Sequence, residues 1–414
     1  MLQSQLFSKT SRQVSADEVS INAKLLIQAG FVDKQMAGAY SYLPLGYRVF
    51  KKIEQIIREE MNAIGGEEMI MTAMQPKELW EATGRWETDE NIMYKCEDKN
   101  GPTVGLAWTH EEAVTVIAKR FISSYRDLPR YVYQLQTKFR NEPRAKSGIM
   151  RTREFIMKDL YSFHADEADL DKYYEVVKLA YLKIFARCGL EALVVEASGG
   201  AFTKNYSHEF QVITEAGEDY TVYCAACKYA QNREVAQGKV GEACPACAQA
   251  KLQEAKSSEV GNIFKLGTKF SESLKLYYTA KSGEQKPVIM ASYGIGPGRI
   301  MGTIVEVHHD DAGMVWPPSV APYKIHLLAL ASSETALSKA DQAYSKLTAM
   351  GIEVLYDDRQ ESAGIKLKDA DLIGLPWRVV VSAKTGDNFE IKARHQPTSQ
   401  LLSYSELLNK FSVQ

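Results

Sequence analysis

The sequence predicts an α+β protein of more than one domain, and three observations support this. Apolar side chains recur with helical periodicity in residues 47–62 and 171–188. β-rich segments such as 131–138 and 218–223 lie between and after these helices, which is typical of helices packed on an antiparallel sheet. The proline-rich run 316–322 then interrupts the pattern, and at about 150 residues per domain a chain of 414 residues has room for two or three domains.

The segments behind the proline-rich run alternate in a different order. They predict strand, helix, strand, helix and strand at 324–330, 334–350, 353–357, 363–373 and 378–382. This βαβαβ order favours a small α/β domain with mainly parallel strands. We therefore expect two domains, one of residues 1–321 and one of residues 322–414.

The composition is that of a globular protein, with 45% hydrophobic and 25% charged residues. No stretch approaches 18 consecutive apolar residues, so a membrane span is not expected. Residues 1–10 lack the charged start and apolar centre of a signal peptide, and we expect a cytoplasmic protein. A net charge of −2 does not mark a nucleic-acid-binding protein, although a local basic patch would suffice to bind phosphates.

Cations and one aromatic ring flank a loop between two predicted strands. Arg140 and Glu142 precede the loop, and Phe155 follows it. An arginine can bind phosphate or carboxylate in a bidentate fork, and a phenylalanine can stack on a base. Positive charge in the loop comes from Arg144, Lys146 and Arg151. A surface hairpin with solvated charges fits this pattern equally well.

A glycine-rich turn lies further along the chain. Gly294, Gly296 and Gly298 precede Arg299 and an apolar helix at 300–307. Glycines permit close approach between backbone and ligand, and Arg299 would point at whatever binds there. The spacing is not GxGxxG, and no GxxxxGK followed by Ser or Thr occurs, so a Rossmann fold or a phosphate loop has no support. An ordinary turn from strand to helix is the alternative.

Four of the six cysteines form two CxxC pairs. Cys224 and Cys227 are separated by 16 residues from Cys244 and Cys247. This spacing is typical of a tetrahedral zinc site with four thiolates. Such a site leaves no open coordination position, so the zinc would be structural. Reduced thiols in a loop are the alternative.

Together these residues resemble the class II aminoacyl-tRNA synthetases. Arg140-x-Glu142 with REF at 153–155 is similar to motif 2 of that class, and GIGPGR at 294–299 is similar to motif 3. Longer strings narrow the resemblance to the bacterial-type prolyl-tRNA synthetases: YSYLPLG at 40–46, QPKELW at 75–80, THEE at 109–112, FIMKDLYSF at 155–163, SHEF at 207–210 and YDDR at 356–359. The resemblance covers nearly the whole chain in the family's order. It implies an enzyme that activates L-proline with ATP and transfers it to the 3′ end of tRNA(Pro).

The resemblance also implies roles for individual residues. The proline site would comprise Thr109, Glu111, Arg140, Met157, His208 and Ser292. The ATP site, with Mg²⁺, would comprise Arg140, Glu142, Arg151, Phe155 and Arg299. The catalytic residues would be Arg140, Glu142 and Arg299, because in-line attack by a carboxylate needs positioning and charge stabilisation rather than a protein nucleophile. The acceptor end of tRNA would meet Arg144 and Lys146. A hydrogen-bonded structural histidine is the alternative for His208.

The implied fold is a class II catalytic domain on an antiparallel sheet, a small zinc-ribbon-like insert at 224–258 and a C-terminal α/β anticodon-binding domain. The anticodon contacts would be Arg359, Lys366, Lys368 and Asp369, because arginine and lysine suit the O6/N7 edge of guanine and a carboxylate suits its amino edge. A solvated helix face would look much the same. The resemblance also implies a homodimer.

The sequence departs from the family pattern in three places. Thr72 stands where motif 1 usually has proline, and Ser292 stands where a cysteine usually precedes YGIG. Typical bacterial relatives carry a long insertion that hydrolyses mischarged alanyl-tRNA, whereas only about 30 residues lie between positions 229 and 259 here, too few for an independent core. We therefore expect no editing in cis.

Two other functions fit the class II resemblance. One is a catalytically inactive paralogue that binds tRNA or a partner, and the other is a synthetase for a different amino acid. The intact Arg140, Glu142, Phe155 and Arg299 favour an active enzyme, and Thr109 with Glu111 favours proline.

Overall fold

The structure is a computed structural model that describes residues 1–13, 18–88, 92–97, 99, 101–143, 147–199, 207–330 and 334–412. Its backbone divides into two units. The terminal unit comprises Met1–Gln35, Tyr40–Lys52 and Ile304–Gln414, and the central unit comprises Met36–Ala39 and Ile53–Thr303.

The described residues form both helices and strands. The helices are α1 (Ile21–Gln28), α2 (Pro44–Ala63), α3 (Lys77–Ala82), α4 (Arg85–Thr88), α5 (Glu111–Ala118), α6 (Glu167–Arg187), α7 (Lys269–Leu274), α8 (Pro297–Val307), α9 (Glu334–Ala349), α10 (Ala363–Ile373) and α11 (Tyr404–Ser412). The strands are β1 (Val32–Met36), β2 (Ala39–Tyr42), β3 (Glu67–Glu68), β4 (Met74–Pro76), β5 (Lys95–Glu97), β6 (Thr103–Leu106), β7 (Arg130–Phe139), β8 (Glu154–His164), β9 (Leu193–Ala197), β10 (Ser207–Ile213), β11 (Asp219–Cys224), β12 (Ala230–Asn232), β13 (Leu252–Gly267), β14 (Tyr277–Thr279), β15 (Gln285–Pro287), β16 (Ile289–Ile295), β17 (His309–Asp310), β18 (Gly313–Met314), β19 (Ile325–Ala329), β20 (Val354–Asp357), β21 (Trp377–Val381), β22 (Phe389–Ala393) and β23 (Gln400–Leu402).

A large sheet forms the core of the central unit. Within the described residues it has nine strands, in the order β10-β9-β12-β11-β13-β16-β8-β7-β3. The four consecutive strands β13, β16, β8 and β7 pair antiparallel with one another, and β3 pairs parallel with β7 at the edge. Helix α6 packs against β8 and β16 and buries Tyr173, Val177 and Ile184. The Asp166 side chain caps this helix by accepting a hydrogen bond from the Asp169 amide, at 2.8 Å.

A smaller sheet forms the core of the terminal unit. Its order in the part of the chain that the structure describes is β20-β19-β21-β22-β23, with β19 parallel to β20 and β21 and the last two strands antiparallel. Leu327 packs with Ala340 and Leu347 of α9, whereas its neighbour Leu328 packs with Ala370 of α10. The two helices therefore cover opposite faces of this sheet.

The predicted α+β class is confirmed, with a largely antiparallel sheet in the central unit. Behind the proline-rich run the sheet is mixed rather than mainly parallel, because β20, β19 and β21 pair parallel whereas β22 and β23 add two antiparallel pairings. The helix predicted at 363–373 coincides with α10, and the strand predicted at 324–330 contains β19. Among the described helices, none is both long and apolar enough to cross a lipid bilayer.

Candidate active site

One pocket of the central unit, named here the central pocket, lies where the β7–β8 hairpin, β13 and the turn into α8 meet. Its lining includes Arg140, Glu142, Arg151, Phe155, Met157, Glu259, Asn262, Gly294, Gly296, Gly298 and Arg299. Paired strands form one wall of the pocket, where Gly294 of β16 lies between Asp159 of β8 and Asn262 of β13. A Cβ atom on Gly294 would stand 2.8 Å from the Asn262 Oδ1 atom. Because glycine has no Cβ atom, position 294 keeps the space beside the Asn262 side chain free.

Two guanidinium groups define the charge of the central pocket. Arg140 directly follows β7, and its amide donates to the Arg153 carbonyl at 2.8 Å. Its Nε atom donates to the Trp108 carbonyl at 3.3 Å, and its guanidinium lies 5.3 Å from the centre of the Phe155 ring. Burial lowers the pKa of Arg140, and the neighbouring charge of Arg299 lowers it further. Arginine stays protonated in proteins, so the pair forms a site for an anion.

Two of the arginines in the central pocket, Arg151 and Arg299, are paired with carboxylates. Arg151 donates to Glu142 through Nε at 3.0 Å and through a terminal nitrogen at 2.8 Å, and it also pairs with Glu218. Burial opposes the charge of Arg151, but these hydrogen bonds outweigh it and raise the pKa of the group. Arg299 donates to both the carbonyl and the carboxylate of Glu259 at 3.1 Å.

Glu218 and Glu259 were missed by sequence reasoning. Glu259 is an isolated acidic residue within β13, and Glu218 directly precedes Asp219 at the start of β11; no spacing motif marks either one. Their contacts with Arg151 and Arg299 follow from the pairing of β11, β13 and β16, which joins segments far apart in sequence.

A buried carboxylate cluster lies at the start of α5. Glu111 accepts a hydrogen bond from the Thr109 hydroxyl at 2.5 Å. Arg85 lies 3.4 Å from Glu111 and 3.0 Å from Glu112. Burial raises the pKa of Glu112 to about 6, against the opposing charge of Arg85. Thr109 and Glu111 are thus brought together as predicted, whereas Arg85 is a partner that sequence reasoning missed.

A second buried network supports the start of α5 from the sheet. Lys138 donates to Asp159 at 2.7 Å, and Asp159 also accepts from the Tyr161 hydroxyl at 2.9 Å. The Tyr161 hydroxyl in turn accepts from the His110 amide at 3.2 Å. Burial, followed by the charge of Lys138, lowers the pKa of His110 to about 4. These bonds anchor the segment that carries Thr109 and Glu111 to one sheet face.

Strand register separates the remaining residues predicted for the proline site. Ser292 lies opposite Tyr161, and Met157 precedes Asp159 by two positions, so both share the face on which α5 begins. His208 lies opposite Ile263, whose partner on β16 is Tyr293, and it therefore faces the other way. Its Nδ1 atom lies 2.9 Å from the Tyr174 hydroxyl of α6.

The four paired cysteines converge. The Sγ atoms of Cys224 and Cys247 are 3.7 Å apart, as are those of Cys227 and Cys244. All four Sγ atoms lie within 4.8 Å of one another. A tetrahedral ion with Zn–S bonds of about 2.3 Å would separate its sulfurs by about 3.8 Å, so the described thiols match that geometry.

The terminal unit carries the residues predicted to contact an anticodon. Arg359 pairs with Asp357 at 2.7 Å and with Asp369 at 2.9 Å, and Lys368 is exposed. Lys366 is buried, and its ammonium donates to the carbonyls of Ala329 and Asp357. The predicted acceptor contacts Arg144 and Lys146 lie outside the described residues.

Two family models match the chain. The tRNA synthetase class II core domain (G, H, P, S and T) matches residues 94–308, and the anticodon binding domain matches residues 319–414. Two solved structures are similar in fold, each with a TM-score of 0.77 and covering 94% of this chain. They are prolyl-tRNA synthetase from Cryptosporidium parvum with halofuginone and AMPPNP (16% identity, 73% of that chain covered) and prolyl-tRNA synthetase from Giardia lamblia with prolyl-adenylate (19% identity, 75% covered).

Curated relatives align over almost their whole length. Proline–tRNA ligase 1 of Anaeromyxobacter dehalogenans is 34% identical over 559 positions, covering 98% of this chain and 97% of the relative. Proline–tRNA ligase of Caldicellulosiruptor saccharolyticus is 34% identical over 544 positions, covering 96% and 95%. The first alignment has 559 positions and includes 98% of the 414 residues of this chain, so about 150 residues of that relative have no counterpart here. By these similarities the chain belongs to the proline–tRNA ligase family of class II aminoacyl-tRNA synthetases.

Proposed function

We propose that this chain is a proline–tRNA ligase, which activates L-proline with ATP and transfers it to the 3′ end of tRNA(Pro). The proposal rests on one juxtaposition in a chain of this family. Arg140 and Arg299 form a site for an anion, and Arg140 donates a hydrogen bond to the carbonyl of Trp108. Three residues after Trp108 lies the buried carboxylate of Glu111. Proline carries both a carboxylate and an ammonium, which such a pair of sites could bind together.

The reaction has two steps. An oxygen of the proline carboxylate attacks the α-phosphorus of ATP, and the bond to pyrophosphate breaks. A hydroxyl of the terminal ribose of tRNA then attacks the carbonyl carbon of prolyl-adenylate, loses its proton, and AMP leaves with the bonding electrons. Both steps depend on placed reactants and stabilised negative charge.

The contacts of the arginines suggest how ATP would be received. Arg140 would hold the proline carboxylate and the α-phosphate, and Phe155 with Arg299 would enclose the adenine, whose amino edge Glu142 would contact. Arg151 and Arg299 now pair with carboxylates, and binding would exchange these for phosphate oxygens. Glu259 would then be available for Mg²⁺, which is commonly bound by one or two carboxylates together with substrate phosphates and which neutralises phosphate charge.

The cysteine cluster would hold one structural zinc ion. The sulfur spacing supports this, because it agrees with a tetrahedral four-thiolate site, which has no position open for catalysis. The ion would join the end of β11 to the segment leading into β13, and these strands carry Asp219 and Glu259.

The terminal unit would bind the anticodon of tRNA(Pro). Arg359 and Lys368 line one cleft of that unit together with Lys9 and Arg12, and carboxylates such as Asp369 line it too. This combination supports the assignment, because arginine and lysine suit the O6/N7 edge of guanine and a carboxylate suits its amino edge. The proposal also includes a homodimer working in the cytoplasm. Sedimentation of the purified chain at several concentrations tests its assembly.

One assay separates this function from the alternatives. We expect ATP–pyrophosphate exchange to be stimulated most strongly by proline when each standard amino acid is supplied in turn. Exchange with none of them would favour the inactive paralogue, for which the relatives give no support, and strongest exchange with another amino acid would identify a different synthetase.

A further inference from the structure

Arg85 bridges two consecutive buried glutamates. Its guanidinium lies 3.0 Å from Glu112 and 3.4 Å from Glu111, and relative exposures are 5% for the arginine and 2% or less for the glutamates. Three aromatic rings enclose it, with ring centres 4.4 Å away for Trp108, 5.2 Å for Phe270 and 5.4 Å for Trp80. Gly84 directly precedes Arg85 and has a φ of +70°, a left-handed conformation that residues with a side chain rarely adopt.

The charges of this cluster do not balance. Two carboxylates contact one guanidinium, and Glu112 also accepts a hydrogen bond from the Thr83 hydroxyl at 2.8 Å. Lys138 and Arg140 also attract Glu111 electrostatically, but Lys138 is paired with Asp159 at 2.7 Å, and Arg140 belongs to the central pocket. When both glutamates are ionised, the cluster carries one excess negative charge in a buried setting, where an uncompensated charge is costly. A single bound cation would complete the balance. Among the contacts of the described residues, the Thr109 hydroxyl and Arg85 both engage Oε2 of Glu111, so Oε1 would be the oxygen offered to that cation.

We propose that Arg85 is a positioning residue that neutralises Glu112 and orients Glu111, so that the cluster binds one cation, the secondary ammonium of proline. This inference rests on the proposed function. A guanidinium suits the position because one of its terminal nitrogens contacts both carboxylates while its planar faces can lie against indole rings. Arg85 itself need not touch the substrate.

A double-mutant cycle tests the charge balance through KM for proline in ATP–pyrophosphate exchange. Arg85→Met leaves two buried carboxylates that compete for one proton, so KM for proline should rise about tenfold or more. Glu112→Gln alone should also raise KM for proline, because Arg85 would then neutralise Glu111. The double variant Arg85→Met/Glu112→Gln restores a single excess negative charge and should recover most of the lost affinity. KM for ATP should stay within about twofold of the wild-type value in all three proteins.

A matched control is available in the same unit. Arg187 also bridges two consecutive glutamates, Glu59 and Glu60, at 2.5 and 2.7 Å, but these contacts are more exposed and involve α2 and α6. Arg187→Met should leave KM for proline unchanged.

Two results would overturn the inference. One is a KM for proline in Arg85→Met within about twofold of wild type. The other is an equal or additive loss in the double variant, which would assign Arg85 to packing between Trp80 and Trp108. If Arg85→Met does not fold, the Glu112→Gln variant tests the inference on its own. An unchanged KM for proline in Glu112→Gln would contradict the charge balance. Absence of proline-dependent exchange in the wild-type chain would instead overturn the proposed function. The wild-type chain is assayed first, so the two failures can be told apart.

Discussion

Ion pairing at the level of single residues explains how three arginines can share the central pocket. Arg151 is paired with Glu142 and Glu218, and Arg299 is paired with Glu259. Arg140 has a carbonyl and an aromatic ring as neighbours, so its charge is the least compensated by a direct partner among these contacts. We infer that Arg140 contributes most to attracting an anion.

Arg140→Ala should therefore impair amino-acid activation severely. Loss of a preorganised donor to a developing negative charge costs about 10²–10³-fold in rate, which is several kcal/mol in transition-state binding. Steady-state ATP–pyrophosphate exchange measures this loss as kcat/KM. Arg130→Ala is a suitable control, because Arg130 is exposed at the opposite end of β7. Exchange by Arg140→Ala at the wild-type rate would be incompatible with the assigned role.

His110 should make the central unit sensitive to acid. Its folded-state pKa of about 4 lies below the usual value of 6.5, so protonation favours the unfolded chain. The stability contributed by neutral His110 is present above pH 6.5 and is lost as the pH falls towards 4. Between pH 7.5 and pH 5 the loss is about 2 kcal/mol.

Urea unfolding followed by tryptophan fluorescence at both pH values would measure this effect. We expect the pH-dependent loss to be about 2 kcal/mol smaller in His110→Gln than in the wild type. An identical pH dependence in the two proteins would show that His110 is not the group responsible.

Secondary-structure elements were predictable where local signals mark their ends. Helix α10 coincides with its predicted span because Ser362 caps its start and Gly374 ends it in a left-handed conformation. Helix α2 begins at Pro44, three residues before the predicted start, because proline fits the first turn of a helix but does not extend an apolar stripe. Arg85, Glu218 and Glu259 could not be predicted, because their partners come from elements distant in sequence and depend on strand register.

The segment from β11 to β13 should bind one zinc ion per chain. Metal analysis of freshly purified, reduced protein should find about one equivalent, and Cys224→Ser should release it because three thiolates bind zinc less tightly than four. Cys96→Ser should retain the metal, since Cys96 is exposed and lies outside the cluster. Wild-type protein without metal would contradict the site. Proline activation should fall only partly in Cys224→Ser, because the cysteines do not line the central pocket.

At the scale of the whole molecule, the chain combines a synthetase core match with an anticodon-binding match and is shorter than its curated relatives. The alignment with the Anaeromyxobacter relative leaves about 150 residues of that protein without a counterpart. In this chain the two CxxC pairs lie between Cys224, the last residue of β11, and the start of β13 at Leu252. Short strands and turns surround the four thiols. A segment of this size cannot enclose a second hydrolytic pocket with a core of its own.

This shortening leads to a prediction about accuracy. Alanine is smaller than proline, so a site sized for proline cannot exclude it sterically, and lost apolar contacts discriminate by only about 1–3 kcal/mol per methylene. We therefore expect weak alanine-dependent ATP–pyrophosphate exchange and no hydrolysis of preformed alanyl-tRNA(Pro). The test incubates the chain with labelled alanyl-tRNA(Pro) in the absence of ATP, beside an enzyme-free sample. Hydrolysis well above the enzyme-free rate, abolished when residues 224–247 are deleted, would show that the short segment edits and that its size does not preclude a hydrolytic site.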